Sequence, residues 1–420
     1  MEWGLTWRRA TVSLAFLTLV LLGMRVQFNH TISVGYVAAA ILAPVWLPKL
    51  KKYRGAVPLL LLGVLAVITG FWLLGWSSAS HQLDQNSLFN NSVLLMGFLL
   101  SIAVVVWARH LMPVWVIGLA YGMGLLLGVS RDGMAAENPW KFGYSIPVIV
   151  LALSLCGYAA IRFRQCRGYV EIGVLLALAA MSGLHDSRSL FAMLGLTLIL
   201  VAWQLIPIGR TRRRSVTKTV LAFAMLVMIT YEGGTSLLID GYLGEAAQQR
   251  SVEQINLTGS LLLGARPEMA ASYALFQSHP WGFGVGVMPS LEDVAVAKTG
   301  MAVINYQPNN GYVERYMFGT HFELHSVAAD LWVLFGIPGL LLAAAIVLVT
   351  VRWIIVSITH RRASSLVLFL CVNSLWNVFF SPLYTSITSM ALTVGLAVLP
   401  RLLPSPGGDP KTSTAMYGGD

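Results

Sequence analysis

Three polar side chains beside long apolar runs are of the types that catalyse reactions: Arg188, Arg266 and His325. Arg188 begins an apolar run after a short polar turn, Arg266 begins a predicted short helix, and His325 directly precedes the next apolar run. A guanidinium presents a planar fork that matches phosphate oxygens. A histidine can act as a general base near neutral pH. Together these residue types favour base-assisted chemistry on a phosphate-bearing substrate.

Each of these residues also has a purely structural interpretation. The two arginines could pair with nearby carboxylates at Asp186 and Glu268, and His325 could be a hydrogen-bonded residue at a membrane surface. His321 lies four residues before His325, so the two could share a helix face as a metal-binding pair. Because no third ligand stands at a suitable spacing, we predict neither a metal site nor another cofactor.

The composition is that of an integral membrane protein. Hydrophobic residues make up 56% of the 420 residues, charged residues make up 11%, and the mean hydropathy is +0.71. In soluble domains about a quarter of the residues are charged. The apolar runs are continuous rather than alternating, which predicts membrane helices and excludes an outer-membrane barrel. The three cysteines, Cys156, Cys166 and Cys371, form no disulfide or metal pattern.

Apolar windows bounded by charged or turn residues predict twelve membrane-spanning helices. The windows cover residues 10–27, 31–48, 56–76, 92–108, 112–129, 143–161, 168–183, 188–206, 219–238, 327–351, 364–380 and 384–400. The predicted fold class is therefore an all-α polytopic membrane protein, in which residues 1–420 form a single membrane domain. Between the ninth and tenth spans, residues 240–326 form one large polar loop that contains short helices.

The basic residues are distributed unequally between the two sides of the predicted spans. Most of the 28 lysines and arginines lie in one set of alternating connections, including the run at 210–214. Since basic residues favour the cytoplasmic side, both termini are predicted to be cytoplasmic and the 240–326 loop to lie on the opposite side of the membrane. The first apolar run, after Arg8 and Arg9, is interpreted as a retained span, and residues 404–420 as a disordered cytoplasmic tail.

The net charge of +10 follows largely from this topological bias. It therefore indicates contact with anionic membrane lipid and no nucleic-acid partner. The basic residues on the opposite side are the informative ones, because topology does not explain them. They are Arg25, Arg131, Lys141, Arg188, Arg250, Arg266, Lys298 and Arg315.

Several motifs occur in an order that resembles one protein family. Ser187-Arg188 lies at the mouth of a predicted span, Arg266 leads a short helix, and a Pro-x-x-Gly-x-Gly turn follows at 280–286. His325 lies eleven residues before Gly-Ile-Pro-Gly at 336–339. In this order and topology, the chain resembles the bacterial O-antigen ligase and O-antigen polymerase superfamily. The turn Asn138-Pro139-Trp140, after Arg131, is similar to an Asn-Pro turn of that family, and the resemblance covers about residues 130–350.

The resemblance implies a metal-independent glycosyltransferase of the bacterial inner membrane. It would move a glycan from a polyprenyl-diphosphate carrier to a hydroxyl on a glycolipid or glycan acceptor, on the periplasmic side. His325 would act as the base, and Arg188 and Arg266 would bind the diphosphate. Arg131, His321 and Asp330 are secondary candidates for the same site.

Three alternatives to an O-antigen ligase remain open at this point. A polymerase of O-antigen or exopolysaccharide shares the fold and the motifs. A lipid or glycan transporter would be expected to carry charged residues at mid-membrane depth, and the predicted spans contain almost none there. A scaffolding protein predicts that Arg188, Arg266 and His325 can each be changed without a phenotype.

Overall fold

The computed structural model describes residues 2–25, 32–162, 167–205, 239, 245–259, 264 and 266–401. Within these residues the regular structure is helical. The α-helices are α1 (Glu2–Met24), α2 (Val34–Ile41), α3 (Ala43–Leu50), α4 (Ala56–Ser77), α5 (Gln85–Ala108), α6 (Val114–Leu127), α7 (Met134–Glu137), α8 (Ser145–Arg162), α9 (Arg167–Leu184), α10 (Arg188–Leu205), α11 (Glu245–Thr258), α12 (Glu268–Ser278), α13 (Leu291–Val303), α14 (Val327–Thr359), α15 (Ser365–Phe380) and α16 (Leu383–Ala397). Two π-helical turns lie at Trp140–Tyr144 and Val313–Met317.

Six helices of the described chain are long and apolar enough to cross a membrane, which supports the predicted helical membrane fold. They are Trp7–Met24, Ala56–Ser77, Gln85–Ala108, Trp140–Arg162, Arg188–Leu205 and Val327–Thr359. Four shorter apolar helices accompany them: Val114–Leu127, Gly168–Leu184, Ser365–Phe380 and Leu383–Ala397. The predicted span at 219–238 and the predicted tail at 404–420 lie outside the described residues.

The predicted span at 31–48 is wrong as a single helix. The chain forms α2 and α3 instead, with a break at Leu42, where ψ is 4°. Pro44 lies in the first turn of α3. A proline is tolerated there because it lacks the N–H that an N-terminal turn leaves unused, whereas in a helix interior it would clash with the preceding turn.

Helix α5 begins seven residues before its predicted start at residue 92. The carboxylate of Asp84 caps it by accepting hydrogen bonds from the backbone N–H groups of Asn86 (3.2 Å) and Ser87 (3.0 Å). The first two turns are polar, so an apolar window does not detect them, although the cap stabilises them as helix.

The helices bury very different shares of their surface. In the apolar window of α5, 72% of the residues are buried, against 28% in α4. Helix α4 presents Leu61, Ile68 and Trp72 outward with 60% or more of each residue exposed. Helix α5 is therefore the central element, and the outer face of α4 has the character of a lipid-facing surface.

Hydrogen bonds between connections divide the fold into two ends. At one end, Gln204 near the end of α10 exchanges hydrogen bonds with the backbone of Ala363, just before α15. At the other end, the Ser326 hydroxyl before α14 donates to the carbonyl of Val378 near the end of α15 (2.9 Å). Since α10 and α15 pack against each other, the start of α10 and the start of α14 lie at the same end, which we call the loop end.

The glycine-rich turn at 280–286 docks into a break in α14. Gly336 has φ of +67° and interrupts the helix, so the carbonyl of Val333 lacks its usual intrahelical donor. The backbone N–H groups of Phe283 and Gly284 donate to that carbonyl at 2.9 and 3.0 Å. Gly282 has φ of +88°, and a Cβ there would lie 2.5 Å from the carbonyl oxygen of Trp332. The turn and the break therefore satisfy each other's backbone groups, and only glycine permits this approach.

A second set of contacts holds the 266–326 segment over the α4–α5 connection. The His81 Nε2 atom lies 3.0 Å from the Asp293 Oδ2 atom, and both side chains are less than 10% exposed. Asp293 also closes a capping box with Ser290 at the start of α13. The segment that carries Arg266 and His325 is therefore anchored at two places to the helix layer.

Candidate functional site

His325 occupies a turn that three neighbouring elements hold. Its own φ is +53°, a left-handed conformation that histidine tolerates better than most residues. Next to it, the backbone N–H of Leu324 donates to the Asp330 Oδ1 atom at 2.7 Å. The Ser326 hydroxyl caps α14 through the N–H of Ala329 and donates to α15. Both neighbours of His325 are thus fixed, which sets the position of the imidazole.

Asp330 stabilises this turn rather than presenting a charge to a ligand. It is 3% exposed, and its second oxygen, Oδ2, accepts a hydrogen bond from the backbone N–H of Leu383 at 2.8 Å. The carboxylate therefore ties the turn before α14 to the start of α16. Of the secondary candidates, Asp330 lies in the site region as a positioning residue.

The hydrogen bonding of His325 indicates which ring nitrogen can accept a proton. Its Nδ1 atom lies 3.4 Å from the backbone carbonyl oxygen of Glu323, which can only accept a hydrogen bond. In the tautomer that donates from Nδ1 to this carbonyl, Nε2 keeps the lone pair of the neutral ring. Nε2 lies 3.8 Å from the Glu323 Oε1 atom, and the side chain is 20% exposed. A partly accessible histidine with a basic Nε2 is suited to general-base chemistry.

Arg266 directly precedes α12, with Pro267 at the N-cap position. Its guanidinium carbon lies 5.9 Å from the ring centroid of Trp376 in α15. Among the described residues, no carboxylate lies within 4.0 Å of this guanidinium, so the alternative pairing with Glu268 does not occur. Among the described residues, this partly buried guanidinium thus has an aromatic neighbour and no acidic partner.

Glu268 contacts Tyr312 instead, and Tyr312 lies near both Arg266 and His325. Glu268 is 3% exposed, and its Oε1 atom accepts a short hydrogen bond from the Tyr312 hydroxyl. The Tyr312 ring centroid is 6.4 Å from that of His325. Burial and the Glu268 carboxylate raise the pKa of Tyr312, and nearby Arg266 partly opposes them. Tyr312 thus stays a neutral phenol that links the two sides of the site.

Arg188 begins α10 and has described partners. Its Nε atom lies 3.8 Å from the Asp186 Oδ1 atom, and its Nη1 atom donates to the Ser251 hydroxyl of α11 at 3.3 Å. The predicted structural pairing with Asp186 therefore exists. Because α10 starts at the loop end, Arg188 lies at the same end of α15 as Trp376, which contacts Arg266. Both arginines therefore belong to one end of the helix layer.

The Asn138-Pro139-Trp140 turn supports the turn that carries Arg188. The Asn138 side chain donates to the backbone carbonyl of His185 at 2.8 Å, and the Trp140 indole N–H donates to the Ser182 hydroxyl at 3.2 Å. Arg131 itself is exposed, and no hydrogen bond or ion pair joins its side chain to the rest of the described structure. The structure therefore does not bring Arg131 to His325.

His321 and His325 do not share a helix face. Residues 318–325 form an irregular segment with an isolated bridge between Phe318 and Phe322. The two histidines instead flank Glu323, whose Oε2 atom lies 3.7 Å from the His321 Nε2 atom. The Glu323 carboxylate raises the pKa of His321 against the opposing effect of burial, with smaller contributions from Asp330 and Asp84. In the described part of the chain, no three metal-ligating side chains form a metal site.

The sequence interpretation missed Glu323 and Tyr312, and it considered Glu268 only as a partner of Arg266. Glu323 had a local signal, since it stands between His321 and His325 in His-x-Glu-x-His. Glu268 and Tyr312 had none, because 44 residues separate them and only the folded chain brings them together.

Comparison of the chain with protein-family models, with curated proteins and with solved structures gives no match. The resemblance to the O-antigen ligase and polymerase superfamily therefore rests on the sequence motifs alone.

Proposed function

We propose that this protein is a membrane glycosyltransferase that moves a glycan from a polyprenyl-diphosphate carrier to a hydroxyl acceptor, in the manner of an O-antigen ligase. The observation that carries the proposal is the arrangement around Tyr312. The Arg266 guanidinium, which has no acidic partner among the described residues, acts electrostatically on Tyr312, and the His325 ring centroid lies 6.4 Å from that of Tyr312.

Arg266 supplies the electrostatic part of the reaction. As the bond between the sugar and the diphosphate breaks, negative charge builds on the leaving phosphate oxygens, and a pre-positioned guanidinium stabilises that charge more than it stabilises the substrate. Arg188 adds a second cation at the loop end. Contacts with Asp186 and Ser251 fix the orientation of its guanidinium. Two guanidinium groups then perform the neutralising role for which other phosphate-transferring sites use a metal ion.

His325 supplies the base. Its Nε2 atom accepts the proton of the acceptor hydroxyl while the oxygen attacks the anomeric carbon of the donor sugar. A base that acts only during bond formation needs a fixed position, and the hydrogen bonds of Leu324 and Ser326 provide one.

In this proposal, the membrane topology determines which side of the membrane the site faces and where the donor binds. The helices cross a bacterial inner membrane, with both termini cytoplasmic and the loop end facing the periplasm. The polyprenyl tail lies among the apolar helices, and the glycan extends into the wet space below the 266–326 segment. The acceptor is a glycolipid or a second glycan.

A transfer assay with purified protein tests the proposal. The donor is a polyprenyl-diphosphate glycan, candidate acceptors are supplied separately, and wild type is compared with Arg188→Ala, Arg266→Ala and His325→Ala. Two matched controls are Arg315→Ala, an exposed arginine in the same segment, and His360→Ala, an exposed histidine beyond the far end of α14. We expect loss of about 100-fold or more for Arg266→Ala and His325→Ala, and near-normal activity for both controls.

Three outcomes change the interpretation. Full activity in all three variants would contradict the proposed mechanism. Transfer to donor-linked glycan rather than to a separate acceptor identifies a polymerase instead of a ligase. Activity is expected to survive treatment with a chelator, and its loss would point to a metal.

A further inference from the structure

The residues around Glu323 form a path from the base to the solvent. Glu323 lies between two histidines, with Oε1 3.8 Å from the His325 Nε2 atom and Oε2 3.7 Å from the His321 Nε2 atom. Exposure of the side chains rises along this order, from 20% for His325 to 34% for Glu323 and 43% for His321. The side chains of His325, Glu323 and His321 thus form a sequence of neighbouring titratable groups that becomes more exposed with distance from the base.

Resting on the function proposed above, we propose that Glu323 and His321 relay the proton that His325 takes from the acceptor hydroxyl to the solvent. The acceptor O–H bond breaks as its oxygen bonds to the anomeric carbon, and the diphosphate leaves with the electrons of the broken bond. The proton passes from the His325 Nε2 atom to Glu323, then to His321, and then to water. Each transfer reuses an existing lone pair, so no co-reactant is required.

The separations suit a relay that forms during turnover. Hydrogen bonds between nitrogen and oxygen are about 2.7–3.2 Å long, so each gap closes with a movement of about 1 Å. Catalytic hydrogen bonds are often longer in a ligand-free enzyme and shorten when the substrate binds. The Nδ1 atom of the His325 ring faces the backbone carbonyl of Glu323, and Nε2 is the ring nitrogen that faces the Glu323 carboxylate.

The electrostatic surroundings of His321 favour its place at the outer end. Glu323, Asp330 and Asp84 all act on His321 to raise its pKa, and the Thr320 hydroxyl lies 3.4 Å from its Nδ1 atom. A histidine that holds its proton more firmly than usual attracts a proton from the carboxylate between the two rings.

The relay is tested by comparing Glu323→Gln and His321→Gln with wild type in the transfer assay, in dilute buffer and with added imidazole. Glu323→Gln is expected to lower kcat about tenfold while the KM for the donor stays within about twofold. His321→Gln is expected to lose activity in dilute buffer and to recover it with imidazole, since a soluble base replaces the outer member of the relay. The controls are Glu292→Gln, an exposed carboxylate of α13, and His360→Gln at the opposite end.

The outcomes separate the relay from the proposed function. If wild type and His325→Ala are equally active, or wild type transfers nothing, the proposed function fails and the relay fails with it. If His325→Ala is inactive but Glu323→Gln and His321→Gln match wild type in dilute buffer, only the relay is overturned. A loss in His321→Gln that imidazole does not restore also contradicts the relay. Equal apparent Tm values for variants and wild type exclude misfolding as the cause of any loss.

Discussion

Arginine serves opposite purposes at the two ends of the helix layer. At the end remote from the loop, Arg109 donates from Nη1 to the carbonyls of Gly395 (3.1 Å) and Val398 (2.6 Å), and its guanidinium lies over the ring of Tyr53. At the loop end, Arg266 faces the Trp376 ring and has no carboxylate within ion-pair distance among the described residues. Arg109 satisfies the last carbonyls of α16, whereas Arg266 keeps its hydrogen-bonding fork available for an anion.

The same contrast holds for carboxylates. Both carboxylate oxygens of Asp330 accept hydrogen bonds from backbone N–H groups, one in each of two different connections. Glu323 makes only long contacts with two histidines and remains a third exposed. A charged residue whose hydrogen-bonding capacity is satisfied by the backbone maintains the fold. A charged residue that is accessible and makes only long contacts is available for chemistry.

The largest expected effect is a difference between the two arginine variants: substitution of Arg266 should lower activity, and substitution of Arg109 should lower stability. Arg266→Ala should lower the transfer rate about 100-fold or more with little change in apparent Tm, because it removes a group used mainly in the transition state. Arg109→Ala should lower the free energy of unfolding by about 2–3 kcal/mol, since it removes charge-assisted hydrogen bonds to two helix carbonyls. The activity of the Arg109→Ala protein that remains folded should be near normal. Transfer assays measure the activity of each variant, and thermal unfolding in detergent measures its stability. An equal loss of Tm in Arg266→Ala and Arg109→Ala would contradict the different roles assigned to the two arginines.

A smaller effect is expected at the Glu268–Tyr312 pair. Tyr312→Phe removes the described donor to a carboxylate that is 3% exposed and whose Oε2 atom also lacks a hydrogen-bond partner. It should destabilise the protein by about 1–3 kcal/mol, the typical penalty for an unsatisfied buried polar group. Adding Glu268→Gln should recover part of that loss, because a neutral amide tolerates burial better than a carboxylate. Additive losses in the double variant would show that the two side chains are not coupled.

The smallest expected effect concerns pH. The neighbouring Glu323 carboxylate raises the pKa of His321 in the folded protein. The stabilisation is therefore complete below the unfolded value of about 6.5 and is lost as the pH rises through the higher folded value. Apparent Tm measured from about pH 5 to pH 8 should fall slightly more in wild type than in Glu323→Gln over this window. Parallel curves for the two proteins would contradict the assigned cause.

Local sequence signals predicted several parts of the molecule well. Continuous apolar runs indicated helices such as Ala56–Ser77 and Val327–Thr359, because burial in lipid demands a local composition that any window detects. The Gly-Ile-Pro-Gly motif at 336–339 coincides with the break in α14, which occurs at Gly336. The segment at 31–48 was predicted wrongly, because a hydropathy window ignores where a proline restarts a helix.

The site was predictable only in part, for a related reason. Arg188, Arg266 and His325 were identifiable because charged groups beside membrane spans are rare and demand a cause. The state of each one depends on partners distant in the chain. Arg188 pairs with Ser251 from α11, and Glu268 faces Tyr312 rather than Arg266.

Composition and periodicity were sufficient for the helical membrane class and for the residue types that could act on a phosphate, because both depend on the chemistry of neighbours along the chain. The docking of the 280–286 turn into the break at Gly336 and the two backbone hydrogen bonds of Asp330 depend on distances across the fold. Such contacts form when distant segments satisfy each other's backbone and charged groups, and no local pattern encodes which partners meet.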